Sequence, residues 1–119
     1  MTADPVRVSV ALREYDLSDG SEPIYGTAPT QDVNGIQALW MGNALRDGTL
    51  KYTGTGNDRD PILVRVGGAT PNQVVPGYYP EDATMDGLVK YTGPANDRDP
   101  ILVNVGSTSP NHVRIEQLP

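Results

Sequence analysis

The sequence has no cysteine, no phenylalanine, one tryptophan and one histidine among its 119 residues. Without cysteine, disulfides and thiolate zinc sites are excluded. The lone His112 has neither a cysteine nor a Ser-Asp context around it, so no catalytic triad is predicted. The apolar residues are mainly Val, Leu and Ile, and we expect Trp40 at the centre of a small core. A chain this small needs another source of stability, which leaves a metal ion or association with neighbours.

Basic residues and long apolar runs are also scarce. The nine Lys and Arg residues are scattered, and the formal charge is −6. This argues against nucleic acid as a partner, because neutralising phosphates requires a basic stripe. No stretch approaches the roughly 18 apolar residues of a membrane span, so no transmembrane helix is predicted. The sequence also contains no phosphate-binding loop and no nucleophile elbow, and we therefore predict that the protein is not an enzyme.

Glycine and proline are abundant, with 13 and 11 residues, so loops and turns dominate the chain. Residues 5–17 nevertheless alternate like a half-buried strand, with one apolar face formed by Val6, Val8, Val10 and Leu12. Residues 18–35 are predicted to be a long connection, and Ile36–Met41 a second strand. Because the first strand has no obvious local partner, we expect it to pair with a sheet edge, including that of a neighbouring copy.

The second half of the chain is a tandem repeat with an offset of 39 residues. Between residues 51 and 72, 16 of 22 positions are identical to the position 39 residues later. The polar strings Tyr-Thr-Gly and Asn-Asp-Arg-Asp are among the parts retained. A fixed period of this size indicates one supersecondary unit used twice. The predicted organisation is therefore an N-terminal segment, residues 1–41, followed by repeats at 42–80 and 81–119.

Each repeat contains the run Asp-Pro-Ile-Leu-Val, which is too short for periodicity to separate helix from strand. The β-branched residues favour a strand. The positions of the flanking residues favour a helix of about two turns. In that interpretation Asp60 and Asp99 are N-caps, the following prolines occupy the first helical position, and Gly67 and Gly106 lie past the end.

The loop that opens the second repeat has the spacing of a calcium loop. Oxygen-bearing side chains occupy positions 1, 3 and 5 (Asp82, Thr84 and Asp86), glycine follows at position 6, and Leu88 offers its backbone carbonyl at position 7. Position 12, where an EF-hand has glutamate, is Gly93. Acid returns at Asp97 and Asp99, and Asp97 is the preferred closing carboxylate.

These motifs resemble the tandem calcium-binding repeats of dockerins. More closely, Asp-Gly-x-Val-Lys-Tyr-Thr-Gly-x-x-Asn-Asp-Arg-Asp-Pro resembles a repeat pair at the C-terminus of large secreted bacterial surface proteins, where a Gln-Leu-Pro tail also ends the chain. The resemblance covers about residues 36–119 and implies an extracellular, calcium-binding module. The first copy departs from the pattern, with asparagine at position 1 and leucine at position 3. Its remaining candidate ligands are Asn43, Asp47, Thr49, Asp58 and Asp60.

The expected fold is α+β and β-leaning: N-terminal strands, then two calcium-loop and short-helix units around a pseudo-two-fold axis. The expected function is a non-catalytic, Ca²⁺-stabilised structural module at the cell surface or outside the cell. It builds surface or filament assemblies by self-association or with neighbouring modules of the same protein. Two alternatives stay open: a dockerin-like module that binds a separate receptor domain, and a plain C-terminal stability module.

Overall fold

The computed structural model describes residues 2–5 and 14–115. In this part of the chain there are six short strands in antiparallel pairs and two helices, which confirms a mixed, β-leaning α+β fold. The chain divides into two compact units, one that runs to Trp40 and one that comprises Met41–Ile115. The face predicted from Val6, Val8, Val10 and Leu12 lies outside the described residues, and residues 14–17, the end of the predicted strand, are not in a strand.

The first unit contains a β-hairpin, β1 (Thr30–Val33) and β2 (Ile36–Leu39). Asn34 and Gly35 form its two-residue turn, and their φ angles of 56° and 85° are those of a type I′ turn. The prediction of one long connection over residues 18–35 is therefore wrong, because β1 begins within it. The second predicted strand exists but ends at Leu39 rather than Met41.

The second unit interleaves the two copies. The first copy supplies β3 (Thr49–Lys51), α1 (Arg59–Arg65) and β4 (Val74–Pro76). The second copy supplies β5 (Leu88–Lys90), α2 (Arg98–Val105) and β6 (Val113–Ile115). β3 pairs with β6, and β4 pairs with β5. Each two-stranded sheet therefore contains one strand from each copy.

The core of this unit is built from six aliphatic side chains, each at most 1% exposed. Three come from each copy: Leu50, Ile62 and Val66, and then Val89, Ile101 and Val105. Trp40 is only half-buried, and its indole N–H donates to the carbonyl of Ala28 at 2.8 Å. The prediction that Trp40 forms the centre of the core is wrong, because the repeats bury their own β-branched and leucine side chains instead.

The Asp-Pro-Ile-Leu-Val runs are helical, as predicted, but the helices begin earlier than predicted. The N-cap positions are Asp58 and Asp97, so Asp60 and Asp99 lie inside the first turn. The prolines are then at the third helical position, where an amide has no intrahelical partner to lose. At the other end Gly106 caps α2 in the left-handed conformation, with φ of 109°. The identification of Asp60 and Asp99 as N-caps is therefore wrong, whereas the C-terminal glycine of α2 is confirmed.

Candidate metal loops and their buried carboxylates

The loop that precedes β5 folds around the carboxylate of Asp82. Its Oδ2 accepts a hydrogen bond from the Gly87 N–H at 2.9 Å, and its Oδ1 accepts one from the Asp86 N–H at 3.2 Å. The hydroxyl of Thr84 lies 3.4 Å from the same Oδ1. Asp82 is only 6% exposed. Loop positions 1, 3, 5 and 6 are thereby drawn together.

Asp86 lies on the outer side of this loop. Its Oδ1 accepts the Leu88 N–H at 2.9 Å, and its Oδ2 forms an ion pair with Lys90 Nζ at 3.0 Å. The hydrogen bond from Lys90 is the largest of the effects that hold the pKa of Asp86 below its ordinary value. Lys90 thus favours the ionised form of Asp86.

The carbonyl of Leu88 points away from the partner strand. The amide of Gly77 donates to the carbonyl of Gly87 at 2.7 Å, so these residues form a hydrogen-bonded pair of the ladder. The next pair, Pro76 and Leu88, is then non-hydrogen-bonded, and its backbone groups face outward. This orientation frees the Leu88 carbonyl from the sheet.

Asp97 is a buried connector between loop, strand and helix. Its side chain is fully buried; Oδ1 accepts the Thr84 N–H at 3.0 Å, and Oδ2 accepts the Lys90 N–H at 2.8 Å. The Thr84 hydroxyl is 3.1 Å from Oδ1, and the Asp97 N–H donates to the Lys90 carbonyl at 3.0 Å. One carboxylate therefore fixes the loop and strand to the start of α2.

Asp99 forms its hydrogen bonds and its ion pair with residues at the start of α2. Its Oδ2 accepts from Asn96 Nδ2 at 2.8 Å, its Oδ1 is 3.3 Å from Arg98 Nη2, and its backbone N–H donates to Asn96 Oδ1 at 3.0 Å. The Asn96 side chain, one residue before the N-cap position, thus accepts an amide of the first helical turn, the role that was predicted for the side chain of Asp99.

The first loop has the same framework with fewer charges. Asn43 Oδ1 accepts from Arg46 N–H at 2.7 Å, in place of the position-1 carboxylate. Asp47 Oδ1 accepts from the Thr49 hydroxyl at 2.7 Å and from the Thr49 N–H at 2.9 Å. These bonds, the hydroxyl foremost, lower the pKa of Asp47. At position 3 the apolar Leu45 has no side-chain oxygen.

Asp58 repeats the role of Asp97. It is fully buried, and it accepts the Leu45 N–H at 3.1 Å and the Lys51 N–H at 2.9 Å. Burial raises the pKa of Asp58, while the two amide hydrogen bonds act in the opposite direction. Asp60, like Asp99, accepts from an asparagine, with Asn57 Nδ2 at 2.8 Å.

The donors of the second loop agree in kind with calcium. Within residues 2–5 and 14–115, no three His, Cys, Asp or Glu side chains are grouped to hold a metal ion. Calcium also takes hydroxyl, carbonyl and water oxygens, and the loop offers Thr84 and Leu88 besides Asp82 and Asp86. Asp97 Oδ2 accepts a single amide and so has one lone pair left for a cation, whereas Oδ1 already accepts both the amide and the hydroxyl of Thr84.

Several residues in the retained strings have structural roles that the sequence did not reveal. Thr53 donates to Asn111 Oδ1 at 2.7 Å, and Thr92 donates to Asn72 Oδ1 at 2.7 Å, so each copy holds the tail of the other. The signal was present, because both threonines and both asparagines are identical between the copies.

The repeated arginines stack on tyrosine rings instead of pairing with loop carboxylates. The guanidinium carbon of Arg59 lies 5.1 Å from the centre of the Tyr52 ring, and that of Arg98 lies 5.3 Å from the centre of the Tyr91 ring. Both distances are within the range of cation–π attraction. Arg98 also pairs with Asp99, its neighbour on the helix.

In the part of the chain that the structure describes, no helix is both long and apolar enough to cross a membrane. Comparison of the chain with protein-family models, with curated proteins and with solved structures finds no match.

Proposed function

We propose that this chain is a non-catalytic structural module in which Ca²⁺ at the second loop stabilises a pair of interlocked repeats. Its setting is a surface or filament assembly outside the cell, as the resemblance to secreted surface proteins implies. The observation that carries the proposal is the second loop, where two backbone amides hold the carboxylate of Asp82 next to the hydroxyl of Thr84, with the carboxylate of Asp86 on the outer side of the same loop.

Reciprocal contacts between the copies support a pseudo-two-fold arrangement of the repeats. Each two-stranded sheet joins the first strand of one copy to the last strand of the other. The Thr53–Asn111 and Thr92–Asn72 hydrogen bonds repeat this exchange at the same distance, 2.7 Å. Because the copies share these contacts, a cation that fixes the loop of one copy also restrains the other copy. One bound cation can therefore stabilise both.

The module has few other sources of stability that could replace a bound cation. Its shared core consists of six aliphatic side chains, and the chain has no cysteine. A ligand that binds only the folded state adds about 2.7 kcal/mol to stability at about 100 times its Kd. That amount is a large fraction of the stability of a small domain.

The two loops provide a matched experiment. We would measure the thermal melt of the chain in millimolar calcium and in excess EGTA, and repeat it for Asp86→Ala and Asp47→Ala. The proposal predicts a calcium-dependent rise in Tm that Asp86→Ala removes and Asp47→Ala preserves, because the first loop lacks oxygens at position 3. An unchanged Tm in the parent chain would contradict calcium stabilisation.

A second candidate is a dockerin-like module that binds a separate receptor domain. Val64 on α1 and Val103 on α2 are 74% and 64% exposed, and each occupies the same place in its copy. A shallow depression of about 370 Å³ beside α1 is lined in part by Leu45, Pro61 and Val64. Exposed apolar helix residues suit a protein partner. Replacing both valines with lysine would abolish receptor binding but leave calcium-dependent stability unchanged.

A further inference from the structure

The outer edges of the two small sheets differ in how their backbone donors are used. In β3 the outward amides of Thr49 and Lys51 donate to Asp47 and Asp58. In β5 the outward amides of Leu88 and Lys90 donate in the same way to Asp86 and Asp97. Four aspartates therefore close these two edges.

The remaining edges belong to β4 and β6, the last strands of the two copies. Pro76 faces outward on β4, so that edge lacks a donor there. Prolines at such positions protect an edge against pairing with another chain. The equivalent residue of the second copy, 39 positions later, is Ile115, which has an N–H. The second copy thus lacks the protection that the first copy has.

The backbone groups of Val113 and Ile115 point away from β3. The N–H and carbonyl of Lys51 both bind Asp58, so the Lys51–Val113 pair is non-hydrogen-bonded, and the alternation extends this to Thr49–Ile115. Within residues 41–115, no group bonds these outward N–H and carbonyl groups. The side chains of Val113 and Ile115 are 41% and 60% exposed. β6 is thus an open edge with an apolar surface.

We propose that the outer edge of β6 accepts an extended strand from a second copy of this chain, namely the alternating segment at residues 5–17. This segment has the period of a strand and one apolar face to match Val113 and Ile115. Over residues 5–17 the two arginines, Arg7 and Arg13, are balanced by Glu14 and Asp16, so the contact rests on main-chain pairing and on the apolar face rather than on charge. The inference rests on the proposed structural function and names its assembly surface.

Such a contact joins different surfaces of the two copies. Donor and acceptor lie in different parts of the sequence, so each chain that receives a strand still has its own strand to give. A heterologous contact of this kind grows into an open chain unless it closes into a ring. The product would be a filament or ring built by main-chain pairing.

The test is the association state of the full chain, measured by light scattering after size exclusion and by sedimentation from about 1 μM to about 1 mM, the range of weak to moderate affinities. We expect concentration-dependent oligomers in the parent chain. Ile115→Pro copies the residue that the first copy tolerates at the same position, and it should weaken association at least tenfold, as should Ile115→Lys, which keeps the N–H. Val8→Pro should do the same from the donor side, and Pro76→Ile should not weaken association.

A monomer at every concentration would overturn the proposal. So would association unchanged by both Ile115 variants, which would exclude this edge, or association unchanged by Val8→Pro, which would exclude this donor. Far-ultraviolet circular dichroism and a melt in EGTA show that each variant is folded. The calcium-dependent Tm is measured on the same samples, so the proposals of calcium stabilisation and strand addition fail independently.

Discussion

At the residue scale, two buried aspartates join each loop to the strand and helix that follow it. Asp58 and Asp97 are fully buried, and each accepts one amide from the loop and one from the strand. A carboxylate has two acceptor oxygens, whereas an asparagine would present an NH₂ group to one of these amides. The retained Asn-Asp-Arg-Asp string is thus explained by backbone hydrogen bonding as well as by any metal.

The first prediction follows from this geometry. Asp97→Asn should destabilise the protein by about 1–3 kcal/mol, because one buried amide loses its acceptor. Urea unfolding in EGTA measures the change without calcium. Asp99→Asn is the control: its side chain is 59% exposed and it should cost less. An equal cost at the two positions would contradict the role given to Asp97.

Lys90 gives a second prediction at this scale. Its ammonium lies 3.0 Å from Asp86 Oδ2, an oxygen that the calcium proposal assigns to the metal ion. Lys90→Gln should therefore tighten calcium binding about fivefold, which corresponds to about 1 kcal/mol for one charge near 4 Å in water. Calorimetric titration measures the Kd. Lys51→Gln, the equivalent change in the first loop, should leave it unchanged; weaker binding by Lys90→Gln would count against the site.

At the scale of elements, the helices were predictable and their beginnings were not. The Asp-Pro and terminal Gly signals indicated helices over the Ile-Leu-Val runs, and both formed. The sequence contains three candidate caps in each Asn-Asp-Arg-Asp string, and only the structure shows that Asn57 and Asn96 accept the amides of Asp60 and Asp99. Which of several adjacent polar side chains accepts the amides of the first helical turn depends on the conformation of the preceding loop. The spacing of the residues in the sequence does not determine that conformation.

The hairpin in the first unit was missed for a different reason. Thr30–Val33 is polar and has no alternating pattern, and only Val33 among its residues is a large apolar side chain. The signal that could have found β1 is the Asn34–Gly35 pair, since both residues tolerate the positive φ angles that a two-residue hairpin turn requires. The turn residues, and not the hydrophobic pattern, therefore indicate this hairpin.

A third prediction concerns the asparagine caps. Asn57→Ala and Asn96→Ala should each lower the free energy of unfolding by about 1 kcal/mol, because each removes the acceptor for an orphan amide of the first helical turn. Urea denaturation of the two variants measures the change. Nearly equal costs are expected, since the two caps have the same hydrogen bonds at 3.0 Å. A negligible cost for either would show that its helix is held by packing alone.

At the scale of the whole molecule, the repeat was visible in the sequence, but its interleaving was not. A period of 39 residues predicts two equal units, but it is also consistent with two separate units that pack side by side. The structure instead pairs β3 with β6 and β4 with β5. Strand pairing between distant segments depends on tertiary packing, which a single sequence does not reveal. The six core residues, three from each copy, form one cluster, so neither copy has a separate core.

The shared core yields a fourth prediction: residues 41–115 unfold as one cooperative unit. Ile62→Val, a loss of one buried methylene, should cost about 1 kcal/mol. Native-state hydrogen exchange should show the loss of protection in α2 as well as in α1, although the substitution lies in α1. Val64→Ala, at the exposed face of the same helix, is the control. Loss of protection confined to α1 would mean that the repeats unfold separately.

The most direct measurement of the central claim is a calorimetric titration of the purified chain with Ca²⁺. We expect one bound ion per chain, held by the second loop, and its loss in Asp82→Ala, which removes the carboxylate around which the loop folds. Binding should persist in Asn43→Ala, the equivalent change in the first loop. The absence of any binding in the parent chain, or binding that survives Asp82→Ala, would contradict the account.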